Sequence, residues 1–449
     1  MLVLALLALP LLSTASVHER HGAHAHSHTA SKRLPTTWHH DSDHPVHSLF
    51  RRADAAVSFA AVGSDEWAAG YPAGPPASPD VSALPAAWVA ALNDAISRKV
   101  IPDVPLSHNA SDGGSPTYPN GADPNSPDIC SATYQCRLPG DIWDGPAGTI
   151  GISFDDGPEA GTADLLGFLG EKNQRVTHFL IGSNILYMPD AFTKMFNMGD
   201  DIAVHTWTHP HMTTQSNLQV VAELGYTMQL IHNSTGGRVP KFWRPPYGDT
   251  DKRVSAIAKE VFGLTTIIWN QDTSDWSLTE TPPGTTSDAI AKNMQTWLTG
   301  PKSPGLIILE HELTKESTAS FIAAYPVMQQ NGWNLVSLAA LVGGNVTYQN
   351  AASNTAAVTN VDIVNAKNGA VAAVGAAGAA GSSASASGAS AKSAGAAATP
   401  TGAKTAAGSG NSASSSPSST PNAPSSAAPR WTTGPTALLS AAVLFMLWK

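Results

Sequence analysis

The sequence predicts an α/β domain with a mainly parallel sheet, either a barrel or a doubly wound sheet, from about residue 147 onward. Short apolar runs alternate there with amphipathic segments of helix length, which is the pattern of successive βα units. The seven apolar runs are enough strands for either architecture. Five of the runs end in polar clusters, and strand carboxyl ends carry the chemistry in both architectures.

These runs and the segments between them predict the elements in order. Seven strands are expected: Thr149–Phe154, Val176–Ile181, Asp201–His205, Phe242–Arg244, Leu264–Asn270, Gly305–Glu310 and Asn334–Ser337. Six helices are expected between them: Thr162–Lys172, Asp190–Met198, Asn217–Thr235, Asp249–Val261, Thr285–Leu298 and Ser317–Asn331. Residues 51–145 mix short helical patterns with many Pro, Gly, Asn and Asp, so we expect an extended region packed on the main domain.

The beginning of the chain has the composition of a leader. Residues 1–16 are apolar and closed by small residues, which predicts a secretory signal, with a buried helix as the alternative. The N-terminal region, residues 17–145, holds nine of the sixteen histidines between His18 and His47. That histidine run is interpreted either as a metal-capturing or adhesive segment or as a biased leader or propeptide. The second interpretation is favoured because the spacing is irregular and thiols are absent.

The end of the chain predicts a stalk and a lipid anchor after the 146–345 domain. We expect residues 346–429 to be disordered, because from residue 366 they are almost entirely Ala, Gly, Ser, Thr and Pro. The tail, residues 430–449, contains an apolar run behind a small-residue cluster, which is typical of a GPI signal with attachment at Ser425. A short membrane anchor is the alternative. The predicted location is the cell surface, with the protein GPI-anchored at the plasma membrane and cell wall.

Cysteines, sequons and charge agree with secretion. Cys130 and Cys136 are the only cysteines, and in a secreted chain this separation predicts a small disulfide loop. N-glycosylation sequons occur at Asn109, Asn233 and Asn345. The formal net charge of −9 gives no electrostatic support for a nucleic-acid partner. Nothing in the chain suggests a coiled coil, so a monomer is favoured.

Two of the polar clusters together predict a metal site. SFDDGP places Asp155 and Asp156 at the end of the first strand, where their mutual repulsion requires a cation or a base partner. HTWTHPH follows the third strand, and a single helical turn would stack His205 and His209 on one face toward a divalent ion. The third ligand is Asp156 or Asp155, and His211 is a possible competitor.

The remaining clusters supply charged and acid–base groups at the same rim. In FWRPPYG, Arg244 can hold a carboxylate and the Tyr247 N–H can face an oxyanion. WNQDTSDW brings Asp272, Asp275 and Trp276 to this rim. In LIILEHE, Leu309 and His311 lie on one side of the strand and Glu310 on the other, so His311 can act as a general acid oriented by a carboxylate.

These five segments, in this order, resemble the polysaccharide deacetylases with NodB homology, carbohydrate esterase family 4, most like the fungal chitin deacetylases. The resemblance covers about residues 147–345. It implies a distorted (β/α) barrel with seven or eight parallel strands. It also implies a divalent metal, Zn or Co, as cofactor and chitin or chitin oligomers in the cell wall as substrate.

The resemblance further implies roles for single residues. Asp155 corresponds to the general base, and Asp156, His205 and His209 to the metal ligands. Arg244 corresponds to the group that orients the base, Asp275 to the group that tunes the acid, and His311 to the acid itself. Substrate contacts are implied for the Tyr247 N–H, Trp276 and Leu309, and Trp207 is added to them. Ser153 and His178 depart from the commoner residues, threonine and an aromatic.

Two rival functions are kept. One is a non-catalytic wall protein that binds glycan through Trp207, Trp243 and Trp276. The other is an esterase of the same fold that acts on acetylated xylan or another O-acetyl glycan. Glycan binding by a non-catalytic protein would survive the substitution of Asp155 by Asn. The sequence hardly distinguishes the esterase from an N-deacetylase.

Overall fold

The computed structural model describes residues 50–52, 58–111, 114–342, 344 and 346–363. Its strands are β1 (Phe50–Arg52), β2 (Thr149–Asp155), β3 (Thr177–Leu180), β4 (Asp201–Val204), β5 (Phe242–Trp243), β6 (Thr265–Thr266), β7 (Gln271–Asp272), β8 (Leu306–Leu309), β9 (Asn334–Ser337) and β10 (Val361–Ile363). Predictions for the signal, the histidine-rich leader, the Ala/Gly/Ser-rich tract, Asn345 and Ser425 lie outside the described residues.

Ten α-helices accompany these strands in the described part of the chain. They are α1 (Asp65–Ala68), α2 (Ala86–Ser97), α3 (Thr162–Lys172), α4 (Gly182–Tyr187), α5 (Pro189–Met198), α6 (Asn217–Ser234), α7 (Lys252–Phe262), α8 (Ser287–Thr299), α9 (Lys315–Gln330) and α10 (Leu338–Leu341). None of these described helices is long and apolar enough to cross a membrane.

The main sheet is a distorted (β/α) barrel with parallel strands, as predicted. Its order is β6-β5-β4-β3-β2-β8-β7, and β9 pairs with the first half of β2. The single predicted strand Leu264–Asn270 is divided in the structure. β6, near the start of this predicted strand, pairs with β5. β7, which begins just after residue 270, pairs with β8. The chain from β6 to β7 therefore runs between the two edge strands of the sheet.

Side-chain capping sets the helix starts that the sequence pattern placed only approximately. α7 begins at Lys252 rather than at residue 249 because Asp251 accepts a hydrogen bond from the Val254 N–H. Thr286 caps α8 in the same way, and Thr314 forms a capping box with Ser317 at the start of α9. The chain can therefore leave each neighbouring strand in an irregular loop, and these loops form the rim of the barrel.

The core has an inner and an outer layer because successive strand residues face opposite sides. Ile307 of β8 faces the inner cluster, together with Phe179, Ala203, Phe242 and Ile267. Leu306 and Ile308 face the larger outer cluster between the wall and the helices. The alternation places residue 309 and residue 311 on the inner side of the same segment, so a side chain beyond the end of β8 enters the barrel mouth.

The N-terminal region packs on the outside of the barrel. Trp88 of α2 is fully buried against α6, where a methyl group at Gly225 would lie 2.5 Å from its ring. Glycine at this position therefore permits the close approach of the two helices. The predicted disulfide between Cys130 and Cys136 is present and closes a short loop beside the Thr250–Lys252 segment.

The C-terminal segment crosses the end of the barrel where the strands begin. Thr347 Oγ1 donates to Asp201 Oδ1 over 2.7 Å, and Gln349 Nε2 donates to the carbonyl of Pro240. Asn350 bonds the backbone of Val239 and Gly237, and β10 pairs with β1. The domain therefore continues to residue 363, and the stalk boundary predicted at residue 346 is too early.

Candidate active site

Side chains from four strand ends meet at one rim of the barrel. Asp155 ends β2 and Asp156 follows it, His205 follows β4, Arg244 follows β5 and His311 follows β8. The backbones of Asp155 and His311 are bridge partners, since the Asp155 N–H donates to Glu310 and the Glu312 N–H donates to Asp155. The paired aspartates and the histidine are thus neighbours across the sheet.

Asp156, His205 and His209 form the one group of three metal-ligand side chains found among the described residues. The Nε2 atoms of both histidines lie 3.1 Å from Asp156 Oδ1. That buried oxygen accepts no hydrogen bond from any described residue. A buried carboxylate oxygen without a donor, facing two imidazole nitrogens, fits a divalent cation, and three protein ligands leave positions for water and substrate.

The Nδ1 atoms of the two imidazoles also have hydrogen-bond partners. His205 Nδ1 lies 2.7 Å from the Arg244 carbonyl oxygen, to which only a protonated nitrogen can donate. This bond leaves the Nε2 lone pair of His205 free for a cation. His209 Nδ1 lies 3.1 Å from the Tyr247 hydroxyl. Burial raises the pKa of Asp156, but His209 and His205 outweigh it and hold the pKa well below its usual value.

The ligand loop is not the helical turn that the four-residue spacing predicted. Residues 205–209 are irregular, and Thr206 and His209 have left-handed backbones with φ of 67° and 61°. The buried Glu223 of α6 holds this loop through the N–H groups of Trp207 and Thr208, at 2.8 and 2.7 Å. The imidazoles therefore meet, with centroids 5.0 Å apart, through a strained loop rather than a helix face.

Two further site residues share this backbone strain. Asp156 has φ of 72°, and Asn184 Nδ2 donates to its carbonyl oxygen over 2.9 Å. Tyr247 has φ of 59° in the turn that the two prolines begin, and its N–H has no acceptor among the described residues. Non-glycine residues rarely adopt this conformation, and strain of this kind concentrates at functional sites. The unpaired N–H remains available to a developing oxyanion.

Asp155 is held by a fully buried arginine. Arg244 Nη1 lies 2.5 Å from Asp155 Oδ1, and its Nη2 donates to Ser153 Oγ over 3.0 Å. The guanidinium lies 4.2 Å from the centroid of the Phe179 ring, which adds a cation–π contact. This pairing orients the carboxylate at the rim, next to the metal-ligand group.

His311 is paired with Asp275 at the same rim. Its Nδ1 lies 2.6 Å from Asp275 Oδ1, and its backbone N–H donates to Asp275 Oδ2 over 2.9 Å. Burial lowers the pKa of His311, but Asp275, with Asp156 and Asp155 farther away, raises it overall to about 10. The ring is therefore held as an imidazolium with Nε2 left for a substrate.

Comparisons with known proteins agree with this arrangement. The sequence profile of the polysaccharide deacetylase family matches residues 144–267. Chitin deacetylase 3 of Cryptococcus neoformans var. neoformans is 38% identical over 313 residues, which are 69% of this chain and 73% of the relative. The chain belongs to the polysaccharide deacetylase family. A chitin deacetylase of Amylomyces rouxii is 38% identical over 188 residues, 39% of this deacetylase and 44% of the relative.

A solved structure gives a weaker likeness to this deacetylase. The chitin deacetylase from the fungal pathogen Colletotrichum lindemuthianum is similar over 45% of this chain and 92% of its own chain. The identity is 23% and the TM-score is 0.41, too low to add to the assignment. Family membership rests on the sequence relatives, and the deacetylase is an enzyme.

The predicted substrate contacts of this deacetylase differ in how far they are buried. Trp276 is half-buried and Leu309 is largely buried beside His311. Trp207, in contrast, is fully buried, stacks on Tyr71 and donates to the carbonyl of Ala73. The prediction that Trp207 contacts substrate is therefore wrong, because the loop turns its ring into the interface with the N-terminal region.

The Trp207→Phe variant is expected to lower the free energy of unfolding by about 2 kcal/mol, since a smaller ring leaves a gap and loses the hydrogen bond to Ala73. Its KM for glycan should stay within about twofold of the wild-type value. Urea unfolding and steady-state kinetics measure both quantities. A KM raised about tenfold at unchanged stability would restore Trp207 as a substrate contact.

Two sequons lie in the described part of the deacetylase, and they differ in exposure. Asn109 is exposed on the N-terminal region. Asn233 is half-buried in the last turn of α6, where its Nδ2 donates to the Tyr71 hydroxyl over 2.9 Å. Asn109 is thus the more accessible of the two to a glycosyltransferase, and glycosylation at either residue stays a prediction.

Proposed function

We propose that this deacetylase removes N-acetyl groups from the N-acetylglucosamine units of chitin, giving chitosan and acetate, with a divalent metal, Zn or Co. One observation carries the proposal. The metal-ligand group of Asp156, His205 and His209 adjoins Asp155, a carboxylate fixed by Arg244, and the bridge partner of Asp155 is His311, an imidazolium fixed by Asp275. Relatives named chitin deacetylase support chitin as the substrate.

Amide hydrolysis needs a base for the attacking water and an acid for the leaving nitrogen. Asp155 takes a proton from the water as its oxygen attacks the acetyl carbonyl, and Arg244 holds the carboxylate in position. A divalent cation bound by Asp156, His205 and His209 supplies Lewis-acid polarisation and acidifies water. The base Asp155 directly precedes the ligand Asp156, so the base and one metal ligand lie in the same turn.

The second half of the reaction uses Tyr247 and His311. The Tyr247 N–H donates to the oxygen of the tetrahedral intermediate, which carries the charge that develops during attack. His311 Nε2 then gives its proton to the glucosamine nitrogen, the C–N bond breaks and acetate leaves. Asp275 holds the other ring nitrogen, so the imidazole keeps its orientation during both protonation states.

The structure disfavours one of the two rival functions and leaves the other open. A non-catalytic glycan-binding surface made of three tryptophans is disfavoured, because Trp207 and Trp243 are fully buried and only Trp276 is partly accessible. Action on another acetylated glycan uses the same machinery and stays the alternative. Measuring acetate release from chitin oligomers and from acetylated xylan side by side distinguishes the two.

The surroundings of the enzyme are part of the proposal. We propose that it is a secreted monomer that acts at the cell surface, held at the plasma membrane and cell wall by a GPI lipid. The composition of the chain beyond residue 363 and the small-residue cluster around Ser425 support this location. Release of the protein from cells by a phospholipase that cleaves GPI anchors tests it.

Chelation is expected to lower acetate release from chitin oligomers at least about 100-fold, because the ligand group loses its cation. Zinc or cobalt added back in excess should restore the activity, whereas magnesium should not, since imidazole ligands favour the later transition metals. The unfolding temperature measured in parallel separates loss of metal from loss of fold. Full activity after dialysis against chelator would contradict metal dependence.

A further inference from the structure

A second charged cluster lies buried behind the rim, on the outer side of the barrel wall. His178 of β3 is fully buried, and its Nδ1 lies 2.8 Å from Glu312 Oε1. Its Nε2 lies 3.4 Å from Asp200 Oδ2, close enough for an ion pair without hydrogen-bond geometry. Thr162 at the start of α3 donates to Glu312 Oε2 over 2.6 Å. None of these four residues has a role in the reaction proposed above.

Glu312 is connected to both halves of the catalytic machinery. It directly follows His311, and its backbone N–H donates to the Asp155 carbonyl over 3.2 Å. Its side chain packs on Gly157, directly after Asp156, where a methyl group would lie 2.1 Å from Glu312 Oε1. One side chain therefore touches the turn that presents base and ligand while its own backbone continues the strand that presents the acid.

The cluster holds an ion pair in a place where a charge is costly. Burial disfavours the imidazolium of His178, but Glu312 and Asp200 outweigh it and raise the pKa of His178 to about 10. The cation thus lies between two carboxylates, one on the segment after β8 and one just before β4. A buried ion pair adds little to stability compared with apolar packing, but it fixes the relative position of the segments that carry it.

We propose that Glu312 and His178 are positioning residues, which fix the Asp155–Asp156 turn relative to His311. The proposal rests on the hydrolytic function proposed above. Glu312 reaches the turn through Gly157 and His311 through the chain itself, whereas His178 ties Glu312 to β3 and to Asp200. Shifts of about 1 Å between catalytic groups can cost about 100-fold in rate, so the pair matters for catalysis although it touches no substrate.

The Glu312→Gln variant tests the proposal because it preserves size and removes the charge that holds His178. We expect kcat for acetate release from chitin oligomers to fall about 10- to 100-fold and KM to change less than about threefold. The zinc dissociation constant of the apo protein, measured by titration calorimetry, should rise about tenfold because the turn carries Asp156. This binding readout does not depend on turnover.

Asp201→Asn is the matched control, since it neutralises another buried carboxylate at the opposite end of the barrel. It should lower the unfolding temperature while kcat and zinc affinity stay within about twofold of wild type. A folded Glu312→Gln protein with the kcat and zinc affinity of this control would overturn the proposal. If the wild type released no acetate from chitin oligomers, the proposed function would be wrong. The zinc affinities of Glu312→Gln and wild type would still test whether Glu312 positions the Asp155–Asp156 turn.

A double variant covers the case in which Glu312→Gln does not fold. His178→Gln combined with Glu312→Gln removes one positive and one negative charge together, and Asp200 keeps the hydrogen bond from the Val176 N–H. Its kcat should remain at least about tenfold below wild type, because the neutral pair no longer fixes the turn. Wild-type kcat in the folded double variant would show that the pair is dispensable for catalysis and would also overturn the proposal.

Discussion

The Asp155→Asn variant is expected to release acetate about 10³-fold more slowly than the wild type, within the range of general-base contributions. Asparagine has the same shape and can still accept the hydrogen bond from Arg244, but it cannot take a proton from the attacking water. The metal-ligand group does not include Asp155, so zinc affinity should change little, whereas the unfolding temperature should fall because the buried Arg244 loses its charge partner. Acetate release in single-turnover assays with chitin oligomers measures the chemical step.

Asp272→Asn provides the matched comparison for this prediction. Asp272 is another carboxylate that the sequence places at the rim, but its side chain bonds Ser274, it lies outside the ligand group, and it acts on His311 only through its charge. Its substitution should leave kcat within about threefold of wild type. Equal losses in both variants would indicate a general electrostatic effect of the rim, and an Asp155→Asn enzyme with near-normal turnover would exclude Asp155 as the base.

The Arg244→Met variant is expected to lose about 3–5 kcal/mol of unfolding free energy, the largest stability effect among the variants considered. Arg244 is fully buried, and its guanidinium is the charge partner of Asp155 as well as a contact of the Phe179 ring. Methionine leaves the Asp155 carboxylate buried without its partner, which costs more than the pair itself contributes. Urea unfolding at neutral pH measures the loss.

The double variant Arg244→Met with Asp155→Asn isolates the cause of that loss. Removing both charges leaves no unpaired carboxylate, so the double variant should recover at least about 1–2 kcal/mol relative to Arg244→Met alone. It should nevertheless remain inactive because the base is absent. If the double variant were less stable than Arg244→Met, the loss would come from packing of the long side chain rather than from the ion pair.

Periodicity and polar clusters were sufficient to predict a mainly parallel α/β sheet and the group of strand ends that carries the site, whereas the choice of a barrel over a doubly wound sheet came from the family resemblance. Apolar runs locate β2, β3, β4 and β8 to within two residues, because a buried parallel strand has few polar side chains. The parallel direction then brings Asp155, His205, Arg244 and His311 to one rim without further information. The residue spacing along the chain therefore contained most of the site.

What the sequence pattern could not give is the direction of side chains in irregular loops. Spacing favoured a helical turn for His205 and His209, and Trp207 was expected to contact substrate, whereas left-handed residues and Glu223 turn the loop so that the ring is buried. Glu223 lies in a helix, where one acidic residue in the sequence does not indicate a role in holding a loop. Likewise the segment around Gln349 and Asn350 has no apolar periodicity, since it is held by side-chain hydrogen bonds to backbone groups.

The position of the last described strand bears on how the enzyme would meet its polymer. Val361 accepts a hydrogen bond from His232 at the far end of α6, and the segment before it crosses the pole where the strands begin. The catalytic mouth opens at the other pole. If the tether proposed above continues from residue 363, it leaves the domain at the pole opposite the mouth, so the mouth can face away from the bilayer.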